Sequence, residues 1–286
     1  MPLTERPAIR SAVAQARITV VDGDAVVSRR DRIATEEPLE IRAAGPGQEP
    51  VDVAVTMRTP GADMELAAGF LFTEGLVGSR EEISTIRYCE SEGPEEQWYN
   101  VVTVHLRRPF DAGRLQRNFY ATSSCGLCGK ASIDQIEVSC AELGAGPVVE
   151  PSVITRLPET ARAAQSVFAA TGGLHAAALF RADGSLVALR EDVGRHNAMD
   201  KLVGHELLAG RLPASEALVL VSGRASFELV QKAVVAGMPI LCAVSAPSTL
   251  AIDAGRRLGM TLVGFLRESR FNIYTHPERI QLEASG

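Results

Sequence analysis

Ala217-Leu218-Val219-Leu220-Val221-Ser222-Gly223-Arg224-Ala225-Ser226 is the stretch on which the fold turns. Its apolar first half, cut off by small and charged residues, reads as a buried strand. The segment from Ala225 to Ala236 then carries a helical pattern. The same unit recurs downstream, with a strand from Pro239 to Val244, a helix from Thr249 to Leu258 and a strand from Met260 to Leu266. Upstream, a helix from Arg195 to Ala209 leads into Ala217. Before it, His175–Phe180 and Leu186–Leu189 form a hairpin through Asp183-Gly184. Pro158 suits the first turn of a helix from Glu159 to Ala170, which Gly172-Gly173 stops. Helix, hairpin and three helix–strand units predict a mixed, mostly parallel sheet with one antiparallel strand and helices on its faces.

In such a sheet the carboxyl ends of the strands share one rim, where ligands bind. Four segments lie there: Glu191-Asp192-Val193-Gly194-Arg195-His196-Asn197, Ser222-Gly223-Arg224-Ala225-Ser226, Ser245-Ala246-Pro247-Ser248-Thr249 and Arg267-Glu268-Ser269-Arg270. Three of them lead into helix N-termini, whose free N–H groups favour anions. Small residues let the backbone approach a ligand, and Arg195, Arg224, Arg267 and Arg270 supply forked donors suited to phosphate. The rim therefore predicts a phosphorylated ligand.

The first half has a different rhythm. Residues 1–15 read as a loose terminus. Period-two alternation at Ile18–Val21, Pro38–Arg42, Val51–Met57 and Tyr99–Leu106 predicts half-buried strands, with a turn at Gly45-Pro46-Gly47. Asp63 is placed to cap a helix from Met64 to Thr73, with Gly75 as its stop. His105 reads as a strand residue without chemistry. The organisation expected is α/β (α+β overall), with a β-rich domain over 1–148 and a second domain over 149–286.

Near the end of that first domain, Ser123-Ser124-Cys125-Gly126-Leu127-Cys128-Gly129-Lys130 holds two of the five cysteines. Glycine after each thiol favours an exposed, adaptable loop. Lys130 lies close to Cys128 in sequence, and a nearby cation favours thiolate. A free thiol titrates near ~8.5, so a modest depression provides a nucleophile at neutral pH. A reactive pair is the first reading. Half a zinc site, a thioredoxin-type redox pair and a plain loop stay open beside it. Cys89, Cys140 and Cys242 stand alone and complete no zinc motif, and Gly129 does not open a thioredoxin-type helix.

The chain has 286 residues and a net charge of −6, so one large or two medium domains are expected, with no bulk attraction to nucleic acid or anionic membranes. No apolar run reaches about eighteen residues, and Glu5, Arg6, Arg10 and Arg17 interrupt the first segment. That pattern predicts neither a membrane-spanning helix nor a secretory signal. A cytoplasmic protein with free thiols is expected.

At Cys125-Gly126-Leu127-Cys128-Gly129, at Glu191 through Asp200-Lys201 and at Val221-Ser222-Gly223-Arg224-Ala225-Ser226, the chain resembles the FdhD/NarQ family, the formate dehydrogenase accessory sulfurtransferases. Thr59 to Gly75 and Tyr274-Thr275-His276-Pro277-Glu278-Arg279 carry the same resemblance. It implies a cytoplasmic homodimer that takes sulfur from a cysteine desulfurase as a persulfide. The acceptor implied is the bis(molybdopterin guanine dinucleotide) molybdenum cofactor, before its insertion into formate dehydrogenase. Motif by motif, Cys125 is the persulfide-bearing residue and Cys128 its companion. Phe265-Leu266-Arg267-Glu268-Ser269-Arg270 matches the cofactor-binding stretch. Arg195, His196, Asn197, Ser222, Gly223 and Arg224 are further cofactor-binding candidates, Asp200 and Lys201 could contact guanine or pterin, and GDP is the fragment ligand to try. The family's second half also resembles the cytidine deaminase fold, a three-layer α/β arrangement. The helix starts that carry zinc ligands in deaminases read Gly194-Arg195-His196-Asn197 and Gly223-Arg224-Ala225-Ser226 here, so no metal is expected. His276-Pro277-Glu278 has the deaminase spacing in the wrong place. Two function classes stay open: a persulfide-carrying sulfurtransferase, and a cofactor-binding chaperone whose Cys pair is structural or metal-bound.

Overall fold

The computed structural model describes residues 11–89, 99–111 and 142–282. Its first element is a two-stranded antiparallel hairpin of β1 (Val13–Asp22) and β2 (Ala25–Ala34), turned at Gly23 with φ 58. Alternation predicts strand only at Ile18–Val21 and a loose terminus before it. The hairpin is longer because it is held by its backbone ladder: nearly all of β2 is exposed, so no buried face writes a pattern into its sequence.

β3 (Glu37–Ala44) and β4 (Val51–Arg58) follow, then α1 (Asp63–Thr73), β5 (Ile83–Tyr88) and β6 (Val101–Leu106). The four strands form one sheet in the order β4-β3-β6-β5, with β3 and β6 parallel and central. β5 carries too many polar residues to announce itself. Helix α1 matches its expected span, and Gly75 at φ 70 ends it. Asp63, however, is not its cap. Ala62 takes the cap position at φ 57 without a side-chain bond, while the Asp63 carboxylate lies 2.8 Å from Arg58 Nη2 and accepts from Tyr88 Oη at 3.0 Å. Arg58 is 1% exposed. A buried guanidinium left unpaired costs more than a lost cap, so the ion pair claims the carboxylate.

The second half opens with α2 (Pro151–Ala164) and α3 (Ser166–Thr171). This corrects the expected Glu159–Ala170 helix. Pro151, not Pro158, occupies the first turn, where a missing N–H is harmless; Pro158 lies inside, and Gln165 divides the two helices. Next come β7 (His175–Arg181), β8 (Leu186–Asp192), α4 (Arg195–Leu208), β9 (Ala217–Val221) and α5 (Phe227–Val235). β10 (Ile240–Ala243), α6 (Thr249–Arg257), β11 (Thr261–Arg267) and β12 (Arg270–Thr275) complete the sheet, in the order β12-β11-β10-β9-β7-β8. β8 to β11 run one way, whereas β7 and β12 oppose them. The second opposing strand is the unexpected one. Its turn, Glu268-Ser269, contains no glycine; Glu268 itself takes the left-handed position at φ 47.

Alternation within the six-stranded sheet divides two cores. Ala177, Leu179, Val219, Val221, Leu241 and Ala243 face α4, α5 and α6, in one cluster that also contains Leu39, Ile41, Leu66 and Leu71 from the first half. Ala178, Phe180, Leu218, Leu220, Ile240 and Cys242 face Ile154 and Leu157 of α2. α1 and α4 thus lie between the two sheets, and they touch backbone to backbone where Gly69 meets Gly204. The fold is α+β.

Candidate functional site

The rim is built on Asp192, the last residue of β8, which is fully buried. Its carboxylate accepts from Gly194 N at 2.8 Å, Thr59 N at 3.1 Å and Asn197 Nδ2 at 3.1 Å, and pairs with Lys201 Nζ at 2.6 Å. One anion therefore fixes the turn into α4 and ties it to the first sheet. Asn197 also donates to Met57 O at 2.7 Å, and Lys201 donates to Thr59 O at 2.8 Å. Both side chains are spent in this junction. Asp200 is likewise buried, 2.9 Å from Lys232 and bonded to Thr73. The structure thus gives Asn197, Asp200 and Lys201 a positioning task away from the rim surface.

Arg195 and His196, at the start of α4, stay at the rim. A cation in the first turn of a helix opposes the helix dipole, a cost of about 0.3–1 kcal/mol that a bound anion would remove. Gly223 lies against both Arg195 and His175: a Cβ there would meet His175 Nδ1 at 3.5 Å and Arg195 Cδ at 3.9 Å. Burial, then the positive neighbours Arg195 and His196, hold His175 below the usual histidine range. The ring is neutral at neutral pH. His196 Nε2 lies 2.7 Å from Glu228 Oε2 and 3.3 Å from Ser226 Oγ. The hydrogen bond from His196 holds the Glu228 carboxyl below its ordinary range. It also explains why α5 starts at Phe227 with no side-chain cap: the Ser226 hydroxyl faces His196.

Backbone bonds lace the remaining segments along the same edge. Ser222 N donates to Ala176 O, Ser245 N to Gly223 O, Ser248 N to Ala225 O and Phe265 N to Ser245 O. Phe265 has φ 52, a strained value for a bulky residue, beside an irregularity in the β11–β12 register. That bulge turns Phe265 outward, leaving it 40% exposed at the rim. Arg267 and Arg270 face each other across the hairpin and are exposed, as is Arg224. Among the described residues, none of Arg195, Arg224, Arg267 and Arg270 makes an ion pair. Guanidinium groups without carboxylates suit a phosphate-bearing ligand.

The edge therefore gathers Arg195, His196, Ser222, Gly223, Arg224, Phe265, Arg267, Ser269 and Arg270. Leu266 is 1% exposed and belongs to the core against α2. Glu268 serves the turn. Ser226, in a rim segment read from the sequence, meets His196 there, whereas His175 and Glu228 join the site unannounced; only the fold brings the first residue of β7 beside the loop after β9. Cys125 and Cys128 lie outside the described residues. Among the described residues no group of three His, Cys, Asp or Glu side chains is arranged to hold a metal, and no helix is long and apolar enough to cross a membrane.

Of the described thiols, Cys89 Sγ lies 3.0 Å from Thr103 Oγ1, and Cys242 is fully buried in β10. Burial pushes the Cys242 thiol up to about 12. Iodoacetamide at about pH 8 should leave Cys242 unmodified in the native protein and alkylate it after denaturation. Peptide mass mapping reads this directly; native modification would mean that the centre of the sheet opens to solvent.

The model of the FdhD/NarQ family matches residues 34–281. A protein of Mycolicibacterium paratuberculosis named sulfur carrier protein FdhD is 51% identical over 269 residues, covering 92% of this chain and 97% of its own. The protein of that name from Streptomyces avermitilis is 52% identical over 275 residues, covering 94% and 95%. Among solved structures, a Desulfotalea psychrophila protein provisionally named a formate dehydrogenase accessory protein shares the fold. It aligns with a TM-score of 0.73 at 24% identity, over 94% of this chain and 99% of that one.

Proposed function

Since the chain belongs to the FdhD/NarQ family, we propose that it is a sulfur carrier that serves formate dehydrogenase. Sulfur arrives from a cysteine desulfurase. The Cys125 thiolate attacks the outer sulfur of the donor's persulfide; a new S–S bond forms at Cys125, the donor's S–S bond breaks, and its thiolate leaves. Cys128, three positions on in the sequence, is its companion thiol. The recipient is the bis(molybdopterin guanine dinucleotide) molybdenum cofactor, which binds as substrate along the rim before it enters the dehydrogenase. The name shared by the curated relatives supports the carrier role.

The observation that carries the cofactor reading is the rim itself: four arginines on one edge without ion pairs among the described residues. Phosphates of a dinucleotide satisfy them, and Phe265, held outward, offers a face for a ring to stack on. The protein acts in the cytoplasm as a homodimer. Val21, Val26 and Val27 stand 59–68% exposed on the β1–β2 hairpin, a surface suited to cover by a second copy.

GDP, the guanine end of the cofactor, tests the rim. Each charge-assisted arginine contact is worth about 1.5–3 kcal/mol, so Arg224→Ala and Arg267→Ala should each weaken GDP binding roughly ten- to a hundredfold by calorimetric titration. Unchanged affinity in both variants, with folding intact, would place the phosphates elsewhere.

A further inference from the structure

Three helices start on the rim, and their first turns are not alike. α4 and α6 begin without an acidic residue, whereas α5 carries Glu228 in its first turn. The positive end of a helix dipole favours an anion there. α5 thus brings its own anion to the edge, and α4 beside it brings two basic side chains, Arg195 and His196.

Glu228 reaches across to the second of these. Its Oε2 lies 2.7 Å from His196 Nε2, with the two side chains 44% and 33% exposed. An ionised carboxylate only accepts, so at that distance the imidazole N–H donates to it. The hydrogen bond from His196 holds the carboxyl below its ordinary range, and the charges of Lys232 and Arg195 act in the same direction. Glu228 is therefore ionised at neutral pH. The other acids near the edge have different tasks. Asp192 is buried in the junction between the sheets, and Glu191 accepts from Val167 N at 3.0 Å and Phe168 N at 2.7 Å. Among the described residues, Glu228 is the one carboxylate that pairs with a basic side chain of the rim.

That pair works against an anion site. A half-exposed ion pair adds little to stability, yet it uses the N–H that a ligand oxygen would take and sets a negative charge where negative charge would bind. We infer that Glu228 holds the place of a phosphate oxygen at His196 in the empty rim, so that binding exchanges one anion for another and Glu228 returns to His196 on release. This rests on the rim reading above. A site built of arginines alone would retain a polyanionic cargo. A carrier has to pass its cargo on, and the internal carboxylate lowers the affinity to that end. Glu228 acts through His196 and is a positioning residue.

The test is calorimetric titration of inorganic pyrophosphate against wild type, Glu228→Gln and Arg224→Ala. Glutamine keeps the length of the side chain and an acceptor for His196, and removes the charge. Glu228→Gln should bind pyrophosphate about three- to tenfold more tightly than wild type, with the thermal midpoint of the free protein level or slightly lower. Tighter binding is the diagnostic sign, because changing a residue that merely keeps the rim in shape would weaken binding. Arg224→Ala should bind more weakly than wild type. Unchanged or weaker binding by Glu228→Gln, beside a loss in Arg224→Ala, overturns the exchange and leaves the rim standing. Tighter binding by Glu228→Gln with no loss in Arg224→Ala keeps the exchange at His196 and takes Arg224 out of the site. Pyrophosphate that binds neither wild type nor Glu228→Gln overturns both.

Discussion

Gly204→Ala should lower the unfolding free energy by about 3 kcal/mol or more, read as a fall in the urea midpoint at constant slope. The added Cβ would sit 1.8 Å from Glu65 O and 2.8 Å from Gly69 N. Those are main-chain atoms inside α1, so no rotamer change relieves the contact. The helices must separate, and the separation reaches far. α1 carries Glu65, which is paired with Arg190 of β8 and lies 2.9 Å from His205 of α4. Just beyond α1, Glu74 lies 3.2 Å from Lys232, which also pairs with Asp200. The same junction positions Asn197 and Lys201 around Asp192, so the variant should also loosen the turn that presents Arg195. Gly144 is the control: a Cβ there meets nothing within 4 Å and its φ is not positive, so Gly144→Ala should be close to neutral. A change below about 1 kcal/mol in Gly204→Ala would mean that the helices do not cross at their backbones.

Cys125→Ala should abolish activation of formate dehydrogenase in a host that lacks its own copy, while leaving folding and GDP affinity unchanged. The expectation is total loss because a persulfide needs a thiol, and alanine offers no weaker substitute. The contrast with the arginine variants is diagnostic. Those should reduce activation in proportion to lost cofactor affinity, and more cofactor should compensate; no amount of cofactor restores a missing sulfur atom. Full complementation by Cys125→Ala would reduce the protein to a cofactor-binding chaperone.

Much of this is legible in the sequence, for a physical reason. Ala217–Val221 is buried on both faces, so its apolar run and abrupt end state strand and rim together. The rim arginines were legible because the parallel strands put their ends on one edge. Exposed elements were harder to read. β2 and β12 lack a buried alternating face, and the turn into β12 uses Glu268 where glycine would have signalled it. Asp63 looked like a cap because capping is a local rule, whereas Arg58 competes for its carboxylate through tertiary contact. Asn197, Asp200 and Lys201 sit in the motif with Arg195 and His196, yet they face the junction between the sheets. A motif places residues along the chain; the helix rotates them to different sides.

The carrier role stands on one sulfur atom at Cys125, and the intact mass of the protein reports it. Incubation with a cysteine desulfurase and cysteine should add the mass of one sulfur, removable by thiol reductant, with the modification located by peptide mapping at Cys125 and absent from Cys125→Ala. Wild type that gains no sulfur under conditions where the desulfurase turns over, or Cys125→Ala that gains as much as wild type, would contradict the account.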